Sequence, residues 1–124
     1  MIHKELTEKI IKAFYEVYNM LGYGFPEKVY ENALVLELRQ AGLKTEQQKQ
    51  IDVCYKKSPV GEYYADILVE DLVILEIKTS EALNENHSNQ LINYLRATDK
   101  EVGLLLNFGE KPQMRRKIFT NDRK

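Results

Sequence analysis

The stretch GEYYADILVEDLVILEIKTS, residues 61–80, decides how the chain is read. Two apolar runs, YYADILV at 63–69 and LVILEIKT at 72–79, flank a turn-like Glu70-Asp71 and read as the two arms of a β-hairpin. Yet Asp66, Glu76 and Lys78 lie inside those runs, where ionic groups are costly unless they are paired or bind a metal. Side chains alternate along a strand, so Glu76 and Lys78 share one face while Ile77 points into the opposite layer. Loop length then decides where Asp66 falls. A three-residue loop, Glu70 to Leu72, sets Asp66 directly opposite Glu76, whereas a two-residue loop sends it to the other face.

Two carboxylates that meet repel each other, and each is hard to ionise without a cation. Hard oxygen donors of this kind suit Mg²⁺ or Mn²⁺, which keep several waters and often bridge to a substrate phosphate. A lysine two residues on can hold or polarise an attacking water and offset charge on a phosphate. The chemistry suited to such a set is hydrolysis of a phosphodiester. The same spacing is satisfied by a plain ion pair between Glu76 and Lys78 on a solvated strand face, because short D…ExK patterns arise easily.

Outward from the hairpin the chain divides into short elements. In ELTEKIIKAFYEVYNML, residues 5–21, Ile10, Phe14, Val17, Tyr18 and Leu21 follow the rhythm of an amphipathic helix, which GYG at 22–24 ends. A second helix opens at Pro26 and closes at Gly42, with Tyr30, Leu34 and Leu38 on one face. QIDVCYK, 50–56, is a further strand ahead of the hairpin. After the hairpin, NENHSNQLINYLRATD at 84–99 reads as a helix with Leu91, Tyr94 and Leu95 inward. VGLLLNFG at 102–109 reads as a strand buried on both faces. The tail, about 110–124, is basic and poorly patterned. The expected order is α-α-β-β-β-α-β, with a parallel crossover between the last two strands.

Composition sets the outer bounds. Hydrophobic residues are 44% of the chain and charged residues 30%, as in an ordinary soluble domain, and 124 residues suit a single one, 1–124. A formal net charge of −1 argues against coating nucleic acid by bulk charge, though not against a local basic groove. The lone Cys54 forms no internal disulfide and reads as a small buried hydrophobe, which fits a reducing, cytoplasmic setting. No apolar run approaches the roughly 20 residues that span a bilayer, and no signal peptide is expected.

Several of these segments together resemble a known family. GFPEKVY, Gly24 to Tyr30, is similar to the G-x-x-E-x-x-Y signature of the GxxExxY proteins, and the likeness continues through YYADILVEDLVILEIKTSEAL, HSNQLINYLRAT and VGLLLNFG. That family sits in the PD-(D/E)xK nuclease superfamily, nearest its RecB-like branch. The resemblance implies an α/β fold, a PD-(D/E)xK nuclease-like core whose mixed central sheet is flanked by helices, with the metal site on its central hairpin. It makes Asp66 the first acidic ligand and puts Glu76 and Lys78 at the E-x-K positions. Ile77 would offer its backbone carbonyl to the metal, and Glu27 would be an added acidic ligand from an early helix. Gln90 and Tyr94 match a following Q-x-x-x-Y element, one helical face apart. Ala65 stands where the superfamily's name has proline.

Other roles are open at this point. Glu27 also suits the first turn of a helix through the dipole alone. Tyr30 is a packing residue or an edge of the site. His87, one turn before Gln90, is a helix cap or a substrate contact. Tyr63 and Tyr64 pack on their strand or stack on a base. Lys111, Arg115, Arg116 and Lys117 form either a solvated terminus or a nucleic-acid contact that carries no sequence information. The leading expectation is a Mg²⁺- or Mn²⁺-dependent nuclease acting on DNA. Asp66 and Glu76 would bind the metal, Lys78 would activate water and Gln90 would position lysine or substrate. The rival is a non-catalytic module on the same fold that binds nucleic acid or a protein; a homo-oligomer or protein partner suits the small size of either.

Overall fold

A computed structural model describes all of residues 1–124. Helices α1 (Lys4–Leu21) and α2 (Glu27–Gln40) precede strands β1 (Thr45–Tyr55), β2 (Ser58–Val69) and β3 (Val73–Lys78). Helix α3 (Glu85–Arg96), β4 (Val102–Phe108), β5 (Pro112–Ile118) and a 3₁₀ turn (Asn121–Arg123) follow. The five strands lie in one sheet in chain order; β3 and β4 run parallel across α3, and the other neighbours are antiparallel. The expected mixed sheet flanked by helices is therefore present, with one more strand than the sequence suggested.

Two apolar layers hold it together. On one face, Ile10, Phe14 and Val17 of α1 and Tyr30, Leu34 and Leu38 of α2 pack on Ile67, Leu75, Ile77, Leu104 and Leu106. On the other, Leu91, Tyr94 and Leu95 of α3 pack on Ala65, Leu68, Ile74 and Leu105. Strand β4, buried on both faces, is shared by both layers, which explains its unbroken apolar run.

Local chemistry sets the joints. Helix α2 has Pro26 as its N-cap and ends in a Schellman arrangement. There Leu43 N–H donates to Leu38 O (3.1 Å) and Gly42 N–H to Arg39 O (3.0 Å), and Gly42 takes φ 84°, which glycine adopts without strain. The β2–β3 loop is the three-residue version: Val69 pairs with Val73, leaving Glu70 to Leu72 between them. Glu70 and Asp71 both have positive φ, and Leu72 N–H returns to Val69 O at 2.9 Å.

Four expectations are corrected. The first two strands of the sheet begin at Thr45 and Ser58, not at 50 and 63. The unread start of β1, residues 45–49, is the polar run TEQQK broken by the positive φ of Gln48, and that of β2, residues 58–62, lies on an exposed outer arm, so no apolar alternation announces either. The tail is not patternless, because 112–118 forms β5 against β4. Cys54, on the outer arm, is exposed rather than buried. No helix is long and apolar enough to cross a membrane.

Candidate functional site

The ladder between β2 and β3 stops at Ile67–Leu75, while β2 continues with β1 and β3 continues with β4 to Lys78. The sheet forks there. In the fork, Asp66 N–H donates to Glu76 Oε2 at 2.8 Å, and Ile77 N–H donates to Asp66 Oδ2 at 2.8 Å. Each carboxylate thus takes the place of a backbone carbonyl in the broken ladder. The two face each other across the gap, as the three-residue loop requires.

A second irregularity aims Asp66. Ala65 and Leu68, three residues apart, both pack in the α3 layer, so the strand's alternation slips a step at Asp66. The residue opposite on β1 is Gln48, skipped by the ladder between the pairs Gln47–Ile67 and Lys49–Ala65, and its φ is 55°. The register is the same on both sides, so no residue is inserted; the left-handed backbone of Gln48 interrupts the pairing opposite Asp66. Gln48 Nε2 reaches Asp66 Oδ1 at 3.4 Å and both oxygens of Glu31 at 3.1 Å.

Glu31 was missed by the sequence reading. Its carboxylate is buried in α2, where it receives Gln47 Nε2 at 2.5 Å and Lys28 Nζ at 3.0 Å. The signal that could have found it is its spacing: it lies four residues after Glu27, on the same helical face. Glu27 itself is exposed near the fork. Its carboxyl is raised above the ordinary value by partial burial and by the charges of Asp66 and Glu31, with Lys78 pulling the other way.

Electrostatics shows how crowded the acids are. Burial pushes the Glu76 carboxyl up to about 8, and the Asp66 and Glu31 charges add to it, while the Asp66 N–H and Lys78 oppose it. Asp66 is raised by burial and by Glu31, against the Ile77 N–H and Gln48. The chain's ion pairs lie elsewhere, so the Lys78 ammonium has no carboxylate within 4.0 Å and is not the plain partner of Glu76. It nonetheless acts on Glu76, Glu27 and Asp66 through space.

The donor set fits a hard divalent cation. Burial and mutual repulsion disfavour the negative charge of these carboxylates, and a cation would neutralise it. Each principal acid also keeps an oxygen in reserve: Asp66 Oδ1 has only the long Gln48 contact, and Glu76 Oε1 is not engaged by the backbone. As arranged, no three His, Cys, Asp or Glu side chains converge closely enough to grip an ion, because the acids are turned onto N–H groups and amides.

The remaining candidates divide sharply. Tyr94 is buried beside the fork; burial, then the Glu76 and Asp66 charges, push its hydroxyl up to about 12. Gln90, one turn earlier on α3, is exposed and lines the same cleft as Tyr94. His87 caps its own helix: its N–H donates to Asn84 Oδ1 (3.1 Å) and its Nδ1 accepts from Asn84 N–H (3.3 Å). Burial, Lys78 and Arg115 lower its pKa from the ordinary imidazole value. Ile77 is buried in the α1–α2 layer and meets the fork only through its backbone.

Tyr30 points away from the acids. Its hydroxyl donates to Gly22 O (2.7 Å) and accepts from Phe25 N–H (3.3 Å), and its ring stacks on Phe108 with centroids 4.4 Å apart. Together with Gly24 at φ 108°, this pins the turn from which α2 starts and so fixes where Glu27 and Glu31 stand.

The basic tail does not form one cluster, because alternation along β5 splits it. Arg115 reaches Ser88 Oγ (3.2 Å) and Leu83 O (3.1 Å) on the α3 side. Arg116 reaches Ile2 O at 2.6 Å, next to α1. Lys117 follows at the Gly103 pairing and Lys111 sits exposed in the β4–β5 turn.

Comparison with known proteins agrees with this fold. The family model of the PD-(D/E)XK nuclease superfamily matches residues 4–118. Among solved structures, the crystal structure of SSO0001 superposes with a TM-score of 0.58 at 19% identity, over 96% of this chain and 61% of that one. At that identity the likeness concerns the fold, and the chain spans about three-fifths of that protein's length. No curated protein matches the chain in sequence.

Proposed function

Since the chain belongs to the PD-(D/E)XK nuclease superfamily, we propose that it is a metal-dependent phosphodiester hydrolase whose substrate is DNA. One observation carries the reading: at the fork, Asp66 and Glu76 face each other with Lys78 on the same strand, unpaired. Asp66, Glu76 and the Ile77 carbonyl would hold Mg²⁺ or Mn²⁺, with Glu27 in support. A bound divalent cation supplies charge neutralisation at the scissile phosphate.

The chain's own groups do the rest. Lys78 holds the attacking water in line and balances charge on the phosphate. Water adds to phosphorus, the bond to the leaving oxygen breaks, and a phosphate monoester and a free hydroxyl result. Gln90 orients Lys78 or the substrate backbone, and Tyr94, which stays protonated, offers a hydroxyl donor. Glu31 and Gln48 hold Asp66 in place. GFPEKVY and the Gln90–Tyr94 pair favour the RecB-like branch and the GxxExxY family within the superfamily, and the lone cysteine favours a cytoplasmic setting.

The test is cleavage of linear and circular, single- and double-stranded DNA in Mg²⁺ or Mn²⁺ by wild type and Lys78→Ala. Loss of a group that positions the nucleophile is expected to cost about 100-fold or more. Activity that needs metal and falls with Lys78→Ala supports the reading, and cutting of circles identifies internal attack. A folded wild-type protein that binds but cuts nothing would move the assignment to a non-catalytic binding module.

A further inference from the structure

Beside the fork, the outer β1–β2 arm and α3 enclose a cleft of about 680 Å³. Its α3 wall carries Asn86, Asn89, Gln90 and Asn93, whose spacing makes one stripe of neutral amides. Its arm wall carries Tyr63, a residue 49% exposed whose ring lies 5.4 Å, centroid to centroid, from that of Tyr94. The cleft therefore opens from Tyr94, at the acids, outward along α3.

The lining is telling for what it lacks. Its charged residues are Asp52 and Arg96, one of each sign, and the Arg96 guanidinium lies over the Phe119 ring at 4.9 Å. A groove that tracks a phosphate backbone is lined with lysine and arginine. This one offers aromatic faces and side-chain amides, each with a donor and an acceptor, as the edge of a nucleobase has. Nor is the stripe a cheap solvated helix face. Asparagine is a poor helix former, and lysine or glutamate would solvate those positions at lower cost.

The geometry points to a binding cleft for an unpaired nucleobase, in which Tyr63 stacks on the base and the α3 amides read its edge. The substrate class is then single-stranded nucleic acid, or a frayed end, because a paired base hides both its face and its Watson–Crick edge within the duplex. This rests on the proposed nuclease site, since the cleft would feed a strand past Tyr94 to the acids. Phosphate contacts stay outside it; stacking on Tyr63 supplies affinity for any base, and the amide contacts to its edge add a preference among bases.

The experiment is binding by fluorescence anisotropy in EDTA, where no metal-dependent cleavage occurs. Labelled single-stranded, duplex and abasic oligonucleotides of one length are compared, as DNA and as RNA. The expected result is single strand over both duplex and abasic strand by on the order of 10-fold, the scale of one stacked base. Tyr63→Ala and Asn93→Ala are expected to erase that preference, and Tyr63→Phe to keep it. A preference for DNA or for RNA names the source of the base. Equal binding of single strand, duplex and abasic strand overturns the inference, as does a preference unchanged in both folded variants. Cleavage in Mg²⁺ that depends on Lys78 would leave the nuclease reading standing in that case. Base-dependent binding without any cleavage would instead support the cleft and remove the nuclease.

Discussion

A carboxyl group that burial pushes to about 8 takes up a proton as the chain folds, and Glu76 is such a group. Between its ordinary value of 4.5 and about 8, folded Glu76 holds a proton that the unfolded chain has released. Its contribution to stability is therefore complete below the lower value and is lost as pH rises through the upper one. In EDTA, thermal unfolding is expected to move to lower temperature between about pH 5 and about pH 9, and the difference from Glu76→Gln isolates this residue. Parallel pH profiles for the two proteins would show that Glu76 is not buried against its neighbours as described. Asp66, Glu76 and Lys78 were legible because charge inside a strand is anomalous on its face. Glu31 and Gln48 were not. A glutamate within EKVYENALVLEL reads as one more solvated helix position, and nothing local says that α2 overlies a fork. Gln48 sits at a positive φ opposite Asp66, a property of the paired strands, and nothing in TEQQK says that its amide reaches Asp66 and Glu31.

Elements hold these residues in place through a few backbone anchors, and two of them can be cut cleanly. Removing the Tyr30 hydroxyl leaves Gly22 O and Phe25 N–H without their partner while keeping the ring on Phe108. Tyr30→Phe is expected to cost about 1–3 kcal/mol in denaturant unfolding. It should also weaken activity, because α2 and its two glutamates lose their fixed start; unchanged stability would make the hydroxyl contacts incidental. Gly109, just after β4, is a different kind of anchor. A Cβ there would collide with the backbone oxygen of Ser80, two residues beyond Lys78. Gly109→Ala is expected to lose about 1–3 kcal/mol by overpacking and to displace the strand end that carries Lys78. A variant as stable as wild type would place that contact outside the packing that matters. Helix existence was readable from 3.6-residue periodicity, and β3 and β4 from their apolar runs. Residues 45–49 of β1 and 58–62 of β2 were not, since both stretches are polar and neither alternates with a core face.

At the scale of the whole molecule, the sheet is closed off by a strand that the sequence disguised as a tail. PQMRRKI carries four polar or charged residues in seven, which suits an edge strand, where charge discourages pairing with other chains. Its work is structural all the same. It covers the edge of β4, Arg116 ties it to Ile2 at the N-terminus and Arg115 ties it to α3, and Phe119 beyond it is buried against the α3 layer. A detachable basic arm and an integral strand make opposite predictions for a chain ending at Glu110. If the segment were an arm, the shortened protein would melt as the full chain does and only its affinity for nucleic acid would fall. As the fifth strand of the sheet, its removal bares β4, whose every residue is buried, and takes both arginine ties with it. The shortened chain is expected to show no cooperative unfolding transition by circular dichroism. A sharp transition near that of the full-length protein would return 112–118 to the status of an appendage, and leave Arg115 and Arg116 free to meet a phosphate backbone.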